Sequence, residues 1–166
     1  EEVKKSPGNR DTVIVLTSDH GWNLGEKTHW CKAAIWRDTT RVPFIVVSPG
    51  IAKAGLRNNQ PISHVDIYPS LCDFAAIPKP THLEGRSILP LLKDQSATRD
   101  VAFLSYGPEN TAAPSERYRY LRYEDGSEEL YDHKKDPHEW DNLIGNKKYQ
   151  NLTKKMRAQV LAFQSK

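Results

Sequence analysis

The sequence predicts an α/β fold in two parts, a mixed sheet flanked by helices and then a small antiparallel sheet closed by a C-terminal helix. Two short apolar runs, 13–16 and 44–47, lack polar alternation, which is typical of strands covered on both faces. Segment 101–131 carries strand and hairpin signals. From 152 to 163, apolar residues recur at helical spacing, which predicts the closing helix.

The first strand is expected to deliver two polar side chains to one edge of its sheet. Its apolar run extends from Val13 to Leu16, and Asp19 and His20 follow directly before Gly21. We expect a parallel strand, because ligands in open α/β sheets bind beyond the carboxyl ends of such strands. A carboxylate beside an imidazole offers an oxygen and a nitrogen ligand to a metal ion. For an Asp-His pair taken alone, an ordinary surface turn is the simpler alternative.

A second strand and a helix complete the first part. Phe44–Val47 is closed by the Ser-Pro-Gly turn at 48–50. Asp66 is a favoured N-cap residue, and Pro69 is tolerated in the first helical turn. The apolar face predicted for this helix comprises Val65, Tyr68, Leu71, Cys72 and Ala75. We expect it to pack in the core without a chemical role.

The second part is expected to be antiparallel. Residues 101–106 form one predicted strand, and strands 117–123 and 128–131 form a hairpin about the favoured two-residue turn Asp125-Gly126. The final helix presents one apolar face, made of Leu152, Met156, Val160 and Phe163.

Length and charge limit the organisation and the partners. The chain of 166 residues, with mean hydropathy −0.70, is divided by its patterns into domains 1–98 and 99–166. Its net charge of +3 is spread along the chain, so no nucleic-acid partner is expected. No apolar run reaches membrane-spanning length. Two cysteines cannot build a disulfide framework.

Four segments, in order along the chain, carry a family resemblance. They are 19–32, which reads Asp-His-Gly-Trp-Asn-Leu-Gly-Glu-Lys-Thr-His-Trp-Cys-Lys, followed by 40–50, 85–92 and 129–143. Together they resemble the C-terminal half of a sulfatase of the alkaline-phosphatase superfamily, closest to iduronate-2-sulfatase and choline-sulfatase-like members. The resemblance implies that residues 1–98 are the C-terminal part of the sulfatase α/β domain and that the chain begins in the middle of a fold. It also implies an extracytoplasmic location, whether periplasmic, secreted or lysosomal.

The resemblance also implies roles for residues near the first strand. Asp19 and His20 match metal-binding positions; carboxylate-rich oxygen sites favour Ca²⁺ or Mg²⁺, and Ca²⁺ is the ion we expect. Lys32 matches the lysine that contacts sulfate, and it is the candidate catalytic residue because its charge would stabilise the departing oxygen. His29 and Trp30 lie in the same loop and are candidate substrate contacts.

One element of the resemblance is absent. Sulfatases of this kind use a formylglycine nucleophile made from Cys or Ser in a Cys/Ser-x-Pro/Ala-x-Arg motif. The nearest segment, Cys31-Lys-Ala-Ala-Ile35, has Ile35 where the motif requires Arg. The nucleophile and the paired aspartates that complete the metal site are therefore expected in an N-terminal half, and we expect this chain to be inactive alone.

Two other functional classes stay open. The chain could belong to a phosphatase or phosphonate hydrolase of the same superfamily, or it could be a non-catalytic module that binds anionic glycans or a partner chain. The partners expected are a sulfated small molecule or glycan, the N-terminal sulfatase half, and a second copy joined through an exposed sheet edge.

Overall fold

A computed structural model describes residues 2–52 and 54–165. Its helices and strands, in chain order, are α1 (Glu2–Lys5), β1 (Ile14–Thr17), β2 (Asn23–Leu24), β3 (Trp30–Cys31), α2 (Arg37–Thr40), β4 (Phe44–Val47), α3 (Ile67–Phe74), α4 (Leu89–Lys93), β5 (Leu104–Tyr106), β6 (Asn110–Pro114), β7 (Tyr118–Arg122), β8 (Glu128–Asp132) and α5 (Gln150–Gln164). The α/β class, the small antiparallel sheet and the closing helix are thus as predicted. In the described part of the chain, no helix is long and apolar enough to cross a membrane.

The chain divides into two units. The first combines the residues up to Ser18 with Pro43–Thr98, and the second combines Asp19–Val42 with the residues from Arg99 onward. The sequence predicts two continuous domains instead, residues 1–98 and residues 99–166. Segment 19–42 groups with the later part of the chain because Ile35, at 2% exposure, packs into the core of that unit.

In the first unit, β1 pairs with β4 in an antiparallel register that sets Leu16 opposite Ile45. The prediction of a parallel strand buried on both faces is therefore wrong. Leu16 is 53% exposed and Ile45 is 56% exposed. A non-alternating apolar run indicates that a strand suits two-sided burial, but within the described residues of this unit β4 is the only strand that pairs with β1.

A 3₁₀ turn precedes the predicted helix, which begins at Ile67, directly after the predicted N-cap residue Asp66. Ser63 and Asp66 form a capping box around a 3₁₀ turn at 64–66, and α3 follows. The Asp66 carboxylate accepts hydrogen bonds from the backbone N–H groups of Ser63 and Arg86, at 2.9 and 2.7 Å. Its side chain therefore ties the 85–88 segment to the helix start and does not cap the first turn of α3.

The apolar face predicted for this helix is only partly correct. Cys72 is buried, whereas Val65 and Tyr68 are 59% and 52% exposed. The residues of α3 that are buried are Pro69, Ser70 and Cys72. Ser70 is held by hydrogen bonds, because its Oγ donates to the Asp66 carbonyl at 2.5 Å and accepts from the Ile88 N–H at 2.9 Å.

The second unit contains a four-stranded antiparallel sheet in the order β5-β6-β7-β8. The predicted hairpin is confirmed as β7 paired with β8. Its loop has three residues, not two, since the Tyr123 N–H donates to the Ser127 carbonyl and Gly126 adopts φ +80°. Strand β6 was not predicted, because its Asn-Thr-Ala-Ala-Pro sequence lacks the bulky residues typical of strands.

Helix α5 covers one face of this sheet. Its apolar residues Met156 and Val160 are buried as predicted, and they pack against Val101, Ala113, Tyr120 and Leu130. On the opposite face, Ala112, Leu121 and Tyr131 pack against Ile35. Successive side chains of β7 and β8 thus point to opposite faces of the sheet. The segment that contains the candidate site residues covers the face opposite α5.

Candidate functional site

Asp19 and His20 lie side by side just after β1, as the sequence predicts. The His20 Nε2 atom is 3.3 Å from Asp19 Oδ2. The backbone N–H of His20 donates to Asp19 Oδ1 at 3.0 Å, and His20 Nδ1 lies 2.7 Å from the Gly21 carbonyl oxygen. Because a carbonyl oxygen only accepts, Nδ1 donates the proton of this contact.

The Asp19 carboxylate is exposed and ionised. Partial desolvation raises the pKa of Asp19, but the hydrogen bond from the His20 backbone N–H and the electrostatic interactions with His20 and Lys32 lower that pKa below its ordinary value. Its side chain is 81% exposed, whereas that of His20 is 30% exposed. The pair therefore presents an anionic oxygen next to an imidazole nitrogen whose ring is held by the backbone.

Backbone hydrogen bonds to α2 hold the residues that follow. The Gly21 N–H donates to the Thr39 carbonyl at 2.8 Å, and the Trp22 N–H donates to the Asp38 carbonyl at 3.1 Å. A Cβ atom added at Gly21 would lie 2.0 Å from the Asp38 carbonyl oxygen. Only glycine permits this approach, so Gly21 sets the distance between α2 and the Asp19-His20 pair.

A short hairpin brings Lys32 back toward this pair. Strand β2 pairs with β3 so that Asn23 faces Cys31, which sets Trp22 and Lys32 at the open end of the hairpin. Cys31 adopts φ +86°, and the Lys32 carbonyl accepts from the Ala34 N–H at 2.8 Å. Lys32 is exposed, and its charge contributes to the lowered pKa of Asp19. Lys32 therefore acts on the Asp19 carboxylate through its charge, and Asp19 and His20 are the two predicted site residues in direct contact.

His29 and Trp30 have different surroundings. The His29 ring packs edge-on against Trp36, with 5.8 Å between ring centroids. Its Nε2 atom is buried, and no described group hydrogen-bonds to it. Trp30 faces Leu24 across the hairpin and is 67% exposed. Of these two candidate substrate contacts, Trp30 is the one whose ring is open to a ligand.

Asp19 and His20 remain the predicted metal ligands. Across residues 2–52 and 54–165, no group of three or more His, Cys, Asp or Glu side chains could hold a metal ion. The donors that these two residues offer fit a divalent cation, since a ligating imidazole commonly gives its other ring N–H to a backbone carbonyl, as His20 does.

A polar network that the sequence did not predict joins the sheet to the segment 19–36, which is called the site loop below. The Lys27 ammonium donates to the Tyr131 hydroxyl at 2.9 Å and lies 5.1 Å from the centroid of the Trp36 ring. Glu129 accepts from the Tyr131 hydroxyl and the Trp36 indole N–H, both at 2.8 Å. Lys27 and Tyr131 are 104 positions apart, so no local pattern announces this contact.

A second network that sequence reasoning missed is buried beneath the loop. Arg119 and Glu139 are 4% and 1% exposed, and Arg119 Nε lies 3.1 Å from Glu139 Oε1. His133 Nε2 lies 2.6 Å from the same oxygen. The Asp-Pro-His-Glu sequence that contains Glu139 was part of the family resemblance, and that resemblance was the only available signal for it.

Comparison with known proteins adds evidence of relationship. Residues 25–166 match the family described as N-sulphoglucosamine sulphohydrolase, C-terminal. A sulfatase from Formosa agariphila is 35% identical over 159 residues, covering 95% of this chain and 31% of that protein. A Delta 4,5-hexuronate-2-O-sulfatase from Bacteroides thetaiotaomicron is 31% identical, covering 92% of this chain and 34% of that protein.

A similar solved structure is that of a 2-O GAG sulfatase. It superposes with a TM-score of 0.80 at 29% identity, covering 96% of this chain and 37% of that one. The chain thus spans about a third of the length of the curated relatives it matches.

Proposed function

Because the chain belongs to the sulfatase family, we propose that it supplies metal-binding and sulfate-binding residues to an enzyme. That enzyme hydrolyses sulfate esters of sugars. The observation that supports the proposal is that Asp19 and His20 lie side by side and that the charge of Lys32 lowers the pKa of Asp19. A carboxylate, an imidazole and an ammonium group in one place suit a cation and an anionic ester bound side by side.

Asp19 and His20 would hold the metal. Asp19 supplies an ionised oxygen, and His20 supplies Nε2 while its Nδ1–H donates to the Gly21 carbonyl at 2.7 Å. We infer Ca²⁺ over Mg²⁺, because Ca²⁺ accepts more ligands in less regular geometry than Mg²⁺ does. When bound, the cation would supply positive charge near the sulfate oxygens.

Lys32 would bind and stabilise the sulfate group. Negative charge gathers on the bridging oxygen as the S–O bond breaks, and an ammonium group held near that oxygen lowers the barrier electrostatically. The exposed Lys32 side chain is free of the core. We therefore assign Lys32 as the catalytic residue of this chain.

The nucleophile would come from the part of a sulfatase that this chain does not match. The near-motif 31–35 ends in Ile35, which is buried in the core of the second unit at 2% exposure. That burial supports our expectation that Cys31 is not the site of a formylglycine and that the chain alone is inactive. A formylglycine nucleophile and the remaining metal ligands would then lie in an N-terminal sulfatase half.

A sulfated sugar is the substrate class we favour. Relatives include a Delta 4,5-hexuronate-2-O-sulfatase and a 2-O GAG sulfatase. Trp30, at 67% exposure, offers an aromatic face to a sugar ring near Lys32. His29 belongs to the same proposed substrate surface, although its ring packs against Trp36. An extracytoplasmic location, implied by the resemblance, is part of this proposal.

The exposed pair of strands in the first unit is where we expect partner contacts. Ile14, Leu16, Ile45 and Val47 are 39–56% exposed on β1 and β4. Apolar strands left uncovered promote association. We propose that the N-terminal sulfatase half covers them and that copies of this chain associate through them when that half is absent.

Metal binding tests the proposal directly. Tb³⁺ replaces Ca²⁺ in oxygen-rich sites, and the Trp22 ring, 6.1 Å from the His20 ring, would sensitise its luminescence. We expect Asp19→Asn to weaken Tb³⁺ binding by at least about tenfold. Glu124→Gln, an exposed acidic position of the same unit, is the matched control and should leave affinity unchanged. Equal Tb³⁺ affinity in the wild type and Asp19→Asn would contradict the metal assignment.

Catalysis needs a separate measurement. We expect no turnover of an aryl sulfate by the 166-residue chain with Ca²⁺ present. Intact mass spectrometry of protein purified from its native host would show whether a chain bearing Cys/Ser-x-Pro/Ala-x-Arg accompanies it. Metal-dependent turnover by the pure chain that disappears in Lys32→Ala would refute the inactivity prediction while supporting the role of Lys32.

A further inference from the structure

Glu139 is a buried carboxylate whose contacts converge on the site loop. It is 1% exposed and adopts φ +60°, a backbone conformation that is uncommon for a non-glycine residue. Burial raises the pKa of Glu139, but the hydrogen bond with His133 and the charge of Arg119 lower that pKa overall, so the carboxylate is ionised. A buried charge of this kind is stable only while its partners stay in place.

One series of hydrogen bonds connects Glu139 to the Asp19-His20 pair. Glu139 Oε2 accepts a hydrogen bond from the backbone N–H of Arg37, the first residue of α2, at 2.9 Å. The carbonyls of the next two residues of α2 then accept from Trp22 and Gly21, at 3.1 and 2.8 Å. Because α2 has only four residues, fixing its first residue fixes the carbonyls that hold Gly21 beside His20.

A second series of contacts connects Glu139 to Lys32. Glu139 Oε1 pairs with Arg119, whose NH1 donates to the Ile35 carbonyl at 3.0 Å. The adjoining Ala34 N–H donates to the Lys32 carbonyl at 2.8 Å. The Arg119 side chain is itself 5% exposed, so its guanidinium cannot exchange these partners for water without a large movement.

We propose that Glu139 is a positioning residue that sets Asp19-His20 and Lys32 at a fixed separation, acting through α2 on one side and through Arg119 on the other. The inference rests on the proposed function, in which these three residues act on one sulfate ester. Glu139 touches neither the metal-binding nor the sulfate-binding side chains. Glu139 holds the backbone segments that carry the metal-binding and the sulfate-binding side chains. Small displacements of such a backbone strongly affect binding and catalysis.

Amide hydrogen exchange tests the positioning in the 166-residue chain. We expect Glu139→Gln to speed exchange of the Gly21 and Trp22 amides by at least about tenfold relative to core amides of β7. Glu128→Gln is the matched control, because Glu128 pairs with Arg157 of α5 at 2.5 Å on another part of the sheet. It should lower overall stability without a selective effect on Gly21 and Trp22.

A double variant separates positioning from stability. Arg119→Met combined with Glu139→Met replaces a buried ion pair by apolar groups, an exchange that often preserves or raises stability. We expect its urea midpoint to approach that of the wild type while Gly21 and Trp22 still exchange about tenfold faster. Wild-type protection of both amides in the double variant, or a uniform rise across the core in Glu139→Gln, would overturn the proposal.

Tb³⁺ affinity distinguishes this proposal from the proposed function. If the wild type binds Tb³⁺ through Asp19, Glu139→Gln should weaken that binding by about three- to tenfold, and an unchanged affinity would refute the positioning role. If the wild type does not bind Tb³⁺ through Asp19, the proposed function fails. The exchange data on Gly21 and Trp22 then still decide whether Glu139 fixes the loop.

Discussion

Replacing Gly21 by alanine tests how closely the site loop packs against α2. The added Cβ would lie 2.0 Å from the Asp38 carbonyl oxygen, whereas real Cβ atoms remain beyond 3.0 Å of such neighbours. The neighbour is backbone, so it cannot swing aside as a long side chain could. We therefore expect Gly21→Ala to displace the loop from α2 by about 1 Å, the difference between those two distances.

The energy follows from the contacts that such a displacement breaks. The hydrogen bonds from the Gly21 and Trp22 N–H groups to α2, at 2.8 and 3.1 Å, would be stretched or lost. Two backbone hydrogen bonds contribute about 1–3 kcal/mol together, and overpacking strain adds about 1–3 kcal/mol. Allowing for partial relaxation, we expect the free energy of unfolding to fall by about 2–4 kcal/mol.

Urea unfolding followed by circular dichroism measures this loss. Gly145→Ala is the matched control, since no described atom lies within 4 Å of the Cβ position at Gly145. It should be neutral or stabilise by a few tenths of a kcal/mol, roughly the gain from a less flexible unfolded chain. If Gly21→Ala unfolds within about 0.5 kcal/mol of the wild type, the close packing inferred for the loop is wrong.

Three other features of the chain give predictions of their own. Hydrogen bonds from Arg117 to Asp132, at 2.7 and 2.6 Å, lower the pKa of Asp132. The stabilisation that the ionised Asp132 carboxylate provides is therefore present above about pH 4 and is lost as the pH falls through the lowered pKa. In pH-dependent urea unfolding, Asp132→Asn should remove this part of the acid-induced loss, and an unchanged acid limb would contradict the assignment. Met156→Ala, at a position 2% exposed in the core, should lower the free energy of unfolding by about 2–5 kcal/mol, and a loss below about 1 kcal/mol would show that α5 packs loosely. Leu16→Glu with Ile45→Lys should shift size-exclusion profiles toward monomer by making the apolar strand face polar, whereas a wild type that is already monomeric at high concentration would refute association through that face.

Local patterns predicted the elements whose sequence signals lie close together along the chain. The β7–β8 hairpin could be predicted because its loop residues lie between two strand-like runs, and Gly126 permits the φ of +80° that the loop requires. Helix α5 could be predicted because Met156 and Val160 repeat at helical spacing and face one side of the sheet.

Burial was predicted less well, because burial depends on what surrounds an element. The apolar runs in β1 and β4 suggested strands covered on both faces, yet Leu16 and Ile45 are more than half exposed. In α3, Ser70 is 1% exposed and Tyr68 is 52% exposed, although Tyr68 belonged to the predicted apolar face and Ser70 did not. Hydrogen bonds from Ser70 to the Asp66 carbonyl and from the Ile88 N–H satisfy its hydroxyl inside the unit.

The family, the order of the main elements and the candidates Asp19, His20 and Lys32 could be predicted because motif residues and short-range periodicity can be recognised along the chain. How those candidates are held depends on contacts that form only in the folded chain. The contacts that hold them join segments about a hundred positions apart, as Arg37 and Glu139 do at a separation of 102. Such contacts depend on buried charges and backbone groups finding partners in space, and no local pattern in the sequence records which partners those are.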